Sequence, residues 1–287
     1  VSYPEDLRAL VDEALAGLRF PAPPSADGLG EAMRYSLLAG GKRVRPVLTL
    51  ATARAIGADP ERFLDAACAI ELIHTYSLIH DDLPAMDDDE LRRGVPTSHV
   101  RYGEDVAILA GDALFAEAVR LFCDQPGEPS RILAALRELS AATGVDGMVG
   151  GQYVDMTVRE RDADLLRTMH SLKTGRLIAA SVDVVPILVG ASEPETIPYR
   201  RFASELGVLF QIVDDILDVT GSEETLGKPR GTDERHGKVT YVSLFGLERA
   251  RRLAGESHAK AIQALDDAGG DTGDLRRVAD YIFSREA

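Results

Sequence analysis

The chain has 287 residues, 45% of them hydrophobic and 28% charged, which is material for one large or two ordinary globular domains with a substantial core. Its formal net charge of -15 excludes nucleic acid or an anionic membrane surface as the natural partner, because both would be repelled. Any anionic ligand would need the sign of the charge to be reversed locally. Two cysteines, Cys68 and Cys123, lie in separate apolar helical patterns, so neither a disulfide framework nor a zinc site is expected, and a reducing cytoplasm is the simplest location.

In chain order, Pro4 with Glu5 and Asp6 opens a first helix, and PAPPSADGLG reads as a plain connector. Gly40 and Gly41 close a second helix, and Gly57 followed by Pro60 separates a third from a fourth. Long patterns of three-to-four residue apolar spacing follow over 104–123, 130–145, 163–189 and 195–219. A last such pattern runs from Tyr241 to the C-terminus with breaks near Gly255 and Gly269. No run alternates as a half-buried strand must, so the spacing predicts one all-α domain over 1–287, with about ten or more helices and essentially no sheet. The apolar stretch LIAASVDVVPILVG is broken by Asp183 and Pro186 and is too short to span a bilayer. No signal peptide is visible at VSYPED, whose missing initiator Met suggests processing or an artificial start. The polar segment TGSEETLGKPRGTDERHGK is long for a connection within a domain, a length more often tied to function.

Two acidic clusters stand out. DDLPAMDDDE follows the apolar run IELIHTYSLIH, so Asp81 and Asp82 end a helix and Pro84 places Asp87 on a bend beyond it. His74 precedes Asp81 by seven residues and shares its helical face. The second cluster, in FQIVDDILD, holds Asp214, Asp215 and Asp218, with Asp214, Asp218 and Gln211 on one side. An acidic run is ordinarily a solvated surface. Here both clusters sit among apolar helix residues, and two carboxylates 4 Å apart repel by about 1 kcal/mol in water and about 4 kcal/mol at an effective dielectric of 20. Facing clusters therefore call for a cation between them, and an all-oxygen set suits Mg²⁺, which accepts substrate phosphates beside one or two carboxylates.

Cations that could meet such phosphates are present. GGKRVRP supplies Lys42, Arg43 and Arg45, DDDELRRG supplies Arg92 and Arg93, SLKTG supplies Lys173, and the late polar segment supplies Lys228 and Lys238. GSEETLGKP and GTDERHGKV are not nucleotide-binding loops: their spacing is one residue too long, no Ser or Thr follows the Lys, and no strand precedes them. The G-x-S-x-G elbow of a serine hydrolase is absent.

With GGQYVD and TLGKPRGTDERHGKVTY, these motifs stand in the order found in the trans-type isoprenyl diphosphate synthases, which the chain resembles from about Glu31 to the terminal YIFSR. The resemblance implies an all-α bundle around a deep central cavity, usually a homodimer, that extends an allylic diphosphate with isopentenyl diphosphate. By matching position it implies that Asp81, Asp82, Asp87 and Asp214 bind a three-Mg²⁺ cluster on the allylic diphosphate, with Asp215 and Asp218 completing the second motif. Arg92, Lys173, Lys228 and Lys238 resemble direct contacts to that diphosphate. Lys42, Arg45, His74 and Arg93 resemble the isopentenyl diphosphate site, and Thr174 and Gln211 match positions near the reacting allylic carbon.

Product length in this family depends on what blocks the cavity beneath the first acidic motif. Ser77 lies one turn before Asp81, whereas an ideal wheel swings Tyr76 to the side, so geometry alone does not make Tyr76 the floor. The LPAM spacer with an aromatic at position 76 resembles bacterial farnesyl diphosphate synthases and implies a C15 product, with C20 as the alternative. A non-catalytic partner subunit usually loses an acidic motif and this chain keeps both. A terpene cyclase would carry N-D-x-x-S-x-x-x-E where this chain has DDILD.

Overall fold

The computed structural model describes residues 2–158, 162–221 and 239–285. Its helices are α1 (Glu5–Gly17), α2 (Asp27–Leu37), α3 (Val44–Ala55), α4 (Leu64–Asp81), α5 (Ser98–Tyr102), α6 (Glu104–Cys123) and α7 (Pro129–Thr143). They continue as α8 (Met148–Thr157), α9 (Ala163–His170), a π-helical turn at Ser171–Gly175, α10 (Arg176–Val189), α11 (Glu193–Thr220), α12 (Tyr241–Phe245), α13 (Leu247–Asp266) and α14 (Gly273–Ser284). The all-α expectation holds among the described residues but for one two-stranded antiparallel hairpin, β1 (Leu91–Arg92) and β2 (Val95–Pro96).

Helix starts follow local chemistry. The Glu128 carboxylate accepts from the Ser130 and Arg131 amides at the start of α7, where Pro129 needs no hydrogen-bond partner for its nitrogen. Asp162 caps α9 in the same manner, and at α11 the Glu195 carboxylate accepts from the Ser192 amide at 2.7 Å.

The centre of the bundle is α4. Its sequence LDAACAIELIHTYSLIHD is apolar on every side, and Ala66, Ala69, Ile70 and Leu72 are buried against surrounding helices that include α3, α6, α1 and α10. Each large aliphatic side chain buried there contributes about 1.5–3 kcal/mol. The charged exception is Glu71, which accepts from the Arg43 guanidinium at 2.7 Å with both side chains 2% exposed. Arg43 also reaches Asp12 at 3.0 Å and the Leu37 carbonyl at 2.9 Å. Of the cations in GGKRVRP, Arg43 is therefore committed to the core rather than to phosphate. Removing either partner of such a buried pair costs about 3–5 kcal/mol.

Three boundaries differ from expectation, the first being that α2 begins at Asp27, so the last four residues of PAPPSADGLG are helix rather than connector. The pattern over 163–189 is not one helix, because the π turn interrupts it. The break expected near Gly255 falls at Gly246, whose φ of +78° lies in the left-handed region, while Gly255 continues α13. Cys68 is buried, Cys123 is exposed, and both are free thiols. No helix among the described residues is long and apolar enough to cross a membrane.

Candidate active site

The first acidic motif turns back on the helix that carries it. α4 ends at Asp81, Asp82 caps it, and after the turn at Pro84 the Asp87 amide donates to the Asp81 carbonyl at 2.9 Å. The β1–β2 hairpin then aims Arg92 at Asp82: Nε lies 2.7 Å from one carboxylate oxygen and 2.9 Å from the other, and Nη2 lies 2.5 Å from the first. Asp82 is buried, and burial pushes its carboxyl above the ordinary range against the pull of Arg92. Arg93 adopts φ +54° and so points away from Arg92, donating to the Gly40 carbonyl. Gly41 makes room for it, since a Cβ there would stand 2.8 Å from the guanidinium carbon.

A cavity of about 620 Å³ opens beside Asp81. Lys173 and Thr174 line it from the π turn, Arg45 from α3, and His74, Tyr76 and Ser77 from α4. Burial raises the Asp81 carboxyl to about 6, with Asp87 and Asp82 adding to the rise and Lys173 and Arg92 opposing it.

The π turn brings Lys173 and Thr174 to that wall. Gly151 of α8 and Gly207 of α11 permit the close approach: a Cβ on Gly151 would lie 2.2 Å from the Lys173 nitrogen, and one on Gly207 would lie 3.0 Å from the Gly175 Cα. Lys173 Nζ donates to Asp155 Oδ2 on α8 at 2.6 Å, and the Asp155 side chain is only 7% exposed. GGQYVD thus carries a site residue, Asp155, that its place among the motifs did not single out. The signal was there, because Gln152 and Asp155 at i and i+3 share a helical face. The Gln152 carboxamide also lines the cavity, and neither its nitrogen nor its oxygen has a hydrogen-bond partner among the described residues.

Arg45 and His74 come together as expected, with Arg45 Nη1 3.3 Å from His74 Nε2 and the guanidinium 5.9 Å from the Phe210 ring. Burial, then Arg45, Arg93 and Arg92, hold the His74 imidazole well below its usual range and therefore neutral. Arg45 Nε has no partner among the described residues. Lys42 does not line the cavity; it lies exposed 5.2 Å from the centre of the Tyr281 ring.

The second acidic motif divides its work. Asp214 is half-buried on α11 and meets Arg285 at 3.3 Å, a C-terminal contact that sequence reasoning missed. Asp215 is buried and accepts from the Tyr241 amide at 2.6 Å, so it ties α11 to the start of α12. Asp218 is buried, and Gln211 is half-buried one turn before the pair. Lys228 and Lys238 lie outside the described residues.

At the candidate floor the Ser77 hydroxyl donates to the His74 carbonyl at 2.8 Å, while Tyr76 reaches the cavity despite the ideal-wheel argument. Its ring meets His80 edge-on at 5.7 Å and Phe115 of α6 at 5.3 Å.

Among the described residues no three His, Cys, Asp or Glu side chains converge as a ready-made metal cage. The donors nevertheless fit a hard divalent cation, which needs only one or two carboxylates beside a ligand's own oxygens. A half-buried carboxyl raised to about 6 beside two further acids is a place where added positive charge is favourable.

Comparison with known proteins decides the family. A sequence model described as polyprenyl synthetase matches residues 26–282. The chain belongs to the polyprenyl synthetase family. A chloroplastic geranylgeranyl pyrophosphate synthase of Capsicum annuum is 49% identical over 264 residues, 89% of this chain and 71% of that protein. A farnesyl diphosphate synthase of Geobacillus stearothermophilus is 44% identical over 263 residues, 90% of this chain and 89% of that protein. The fold matches a geranyltransferase from Helicobacter pylori complexed with magnesium and isoprenyl diphosphate, at a TM-score of 0.88 and 32% identity, covering 99% and 98% of the two chains. Magnesium and isoprenyl diphosphate thus accompany a geranyltransferase of this architecture.

Proposed function

We propose that this chain condenses isopentenyl diphosphate with an allylic diphosphate of C5 or C10 and ends at C15, farnesyl diphosphate. The observation that carries the reading is the cavity itself, lined by the charged Asp81, Lys173 and Arg45 and by the Tyr76 ring among apolar residues. Asp81, Asp82 and Asp87, with Asp214, Asp215 and Asp218, would hold three Mg²⁺ ions directly or through water. When bound, these supply positive charge to the departing diphosphate.

The chain's own residues account for the rest. Lys173, held by Asp155, and Arg92, drawn from Asp82, stabilise the charge that builds on the leaving oxygen as the allylic C–O bond breaks. Lys228 and Lys238 belong to the same diphosphate contacts. Thr174 and Gln211 flank the allylic carbon, whose cation the isopentenyl double bond attacks to form the new C–C bond. Lys42, Arg45, His74 and Arg93 hold the isopentenyl diphosphate, with neutral His74 donating a hydrogen bond. The proton lost from the condensed cation passes to the released diphosphate. The apolar wall keeps water from the cation.

We further propose a cytoplasmic homodimer. Ile108, Val149 and Tyr153 line the cavity yet are 44%, 50% and 68% exposed, an apolar rim that a second copy would cover. A C20 product is the second reading, supported by the likeness to the Capsicum annuum protein.

Product mass after incubation with isopentenyl diphosphate, each allylic primer and Mg²⁺ tests the proposal. A C15 end product that disappears with EDTA is expected. A C20 end product would move the stop, and no elongation of any primer would overturn the activity.

A further inference from the structure

We infer that the stop for chain growth is an assembly of three rings rather than Tyr76 alone, and that Phe115 of α6 is a specificity-determining residue that acts by propping Tyr76. The inference rests on the proposed prenyl-transfer activity and deepens it.

Tyr76 and His80 are four residues apart on α4 and share a face, meeting edge-on at 77°. From α6, Ile108, Gly111 and Phe115 stand at i, i+3 and i+7, one stripe turned toward that pair. Each does something different. The Ile108 carbonyl lies 3.1 Å from His80 Nε2 and fixes the imidazole. Gly111 leaves the space the imidazole fills, since a Cβ there would be 2.2 Å from Nε2. Phe115 closes the other edge of the Tyr76 ring, at 5.3 Å and 80°.

A tyrosine at the wall of a cavity this size is no stop unless its ring is held. Aromatic side chains in helices keep two χ1 wells, so a ring with an open edge has somewhere to go when a growing prenyl chain presses on it. With Phe115 in place the edge toward α6 is occupied. Truncating Phe115 opens that edge without touching Tyr76; Phe115 is 39% exposed in the single chain, and the unfolding control below reads what the change costs the fold or a dimer.

The experiment compares wild type, Phe115→Ala, Phe115→Leu, Phe115→Tyr, Tyr76→Ala and the Phe115→Ala/Tyr76→Ala double variant, each with thermal unfolding as a folding control. Phe115→Ala is expected to shift the end product up by one isoprene unit, with at least a tenfold rise in the longer-to-shorter ratio. Phe115→Leu should give a smaller shift and Phe115→Tyr none. Because Phe115 acts through Tyr76, the double variant should make the same product as Tyr76→Ala. A wild-type profile from both Phe115→Ala and Phe115→Leu would overturn the inference, as would a double variant that extends past Tyr76→Ala by the increment Phe115→Ala adds alone. A wild-type end product of C20 would refute the C15 reading while leaving this comparison intact. If wild type elongates nothing, calorimetric binding of farnesyl and geranylgeranyl diphosphate with Mg²⁺ decides: an unchanged affinity ratio in Phe115→Ala overturns the prop, and a tenfold change toward the longer ligand supports it.

Discussion

Asp155 Oδ2 lies 2.6 Å from Lys173 Nζ, joining α8 to the π turn at the cavity wall. The acid orients the ammonium, so Asp155→Asn should lower kcat by about 10–100-fold, a loss of about 1.4–2.7 kcal/mol of transition-state stabilisation. Lys173→Ala should cost at least as much. Combining the two should add little, because both remove one unit, and steady-state kinetics on the four proteins would reveal independent effects if that is wrong.

Asp81→Ala should lower turnover by about 10²-fold or more and leave the unfolding midpoint within a few degrees of wild type. The half-buried carboxyl is held at some cost, as its rise to about 6 shows, so its removal does not weaken the fold. Near-normal turnover would remove Asp81 from the proposed metal site.

Tyr76→Ala should lengthen the end product from C15 to C20 or beyond, read by mass. An unchanged product would place the stop on another helix.

Asp183 offers a test of stability against pH. It is buried on α10 beside Arg200 at 3.6 Å, and burial raises its carboxyl to about 6, with Glu138 adding to the rise while Arg200 and Arg176 oppose it. Below about pH 4 the carboxyl is protonated in folded and unfolded chains alike, and it imposes no penalty. Between about pH 4 and 6 the folded state retains a proton that the unfolded state releases, so stability falls as pH rises and the full cost is present above pH 6. Asp183→Asn should therefore raise the melting temperature at pH 8 by about 2–5 °C and do little near pH 4. Melting curves across that range check the sign.

Gly151→Ala should destabilise by about 1–3 kcal/mol and reduce turnover together, because the new methyl meets the Lys173 backbone rather than a movable side chain. Denaturant unfolding with a parallel activity assay would show the two effects separately.

How much of this was legible depends on which residues carry the signal. Helix α6 occupies 104–123 as its periodicity predicts, and the positive φ of Gly103 before it marks a stop that glycine chemistry makes readable. The meeting of Arg45 with His74 is implied by the family resemblance of their motifs and not by periodicity. Other features leave no periodic trace. Two-residue strands around Arg93 and Gly94 are too short to alternate. Gly246 and Gly255 look equivalent in sequence, and only tertiary packing assigns the left-handed turn to the first. Arg43 and Arg45 also read alike as candidate phosphate contacts, yet Arg43 turns to Glu71 because its left-handed backbone sends it inward. The roles of Asp155 and Arg285 required knowing which helices lie side by side.

The π turn at Ser171–Gly175 makes residue count a structural variable. Such a turn accommodates one residue more than an α-helix would, and each residue advances the helix by about 100°. Deleting one of the five would let α9 and α10 run on as one regular helix, and because the turn already absorbs the extra residue, the side chains downstream would keep their facing. Leu177, Ile178 and Val184 would stay in the core while Lys173 and Thr174 left the cavity wall. A single-codon deletion there should therefore abolish turnover while the protein still folds, which a melting curve beside an activity assay would show.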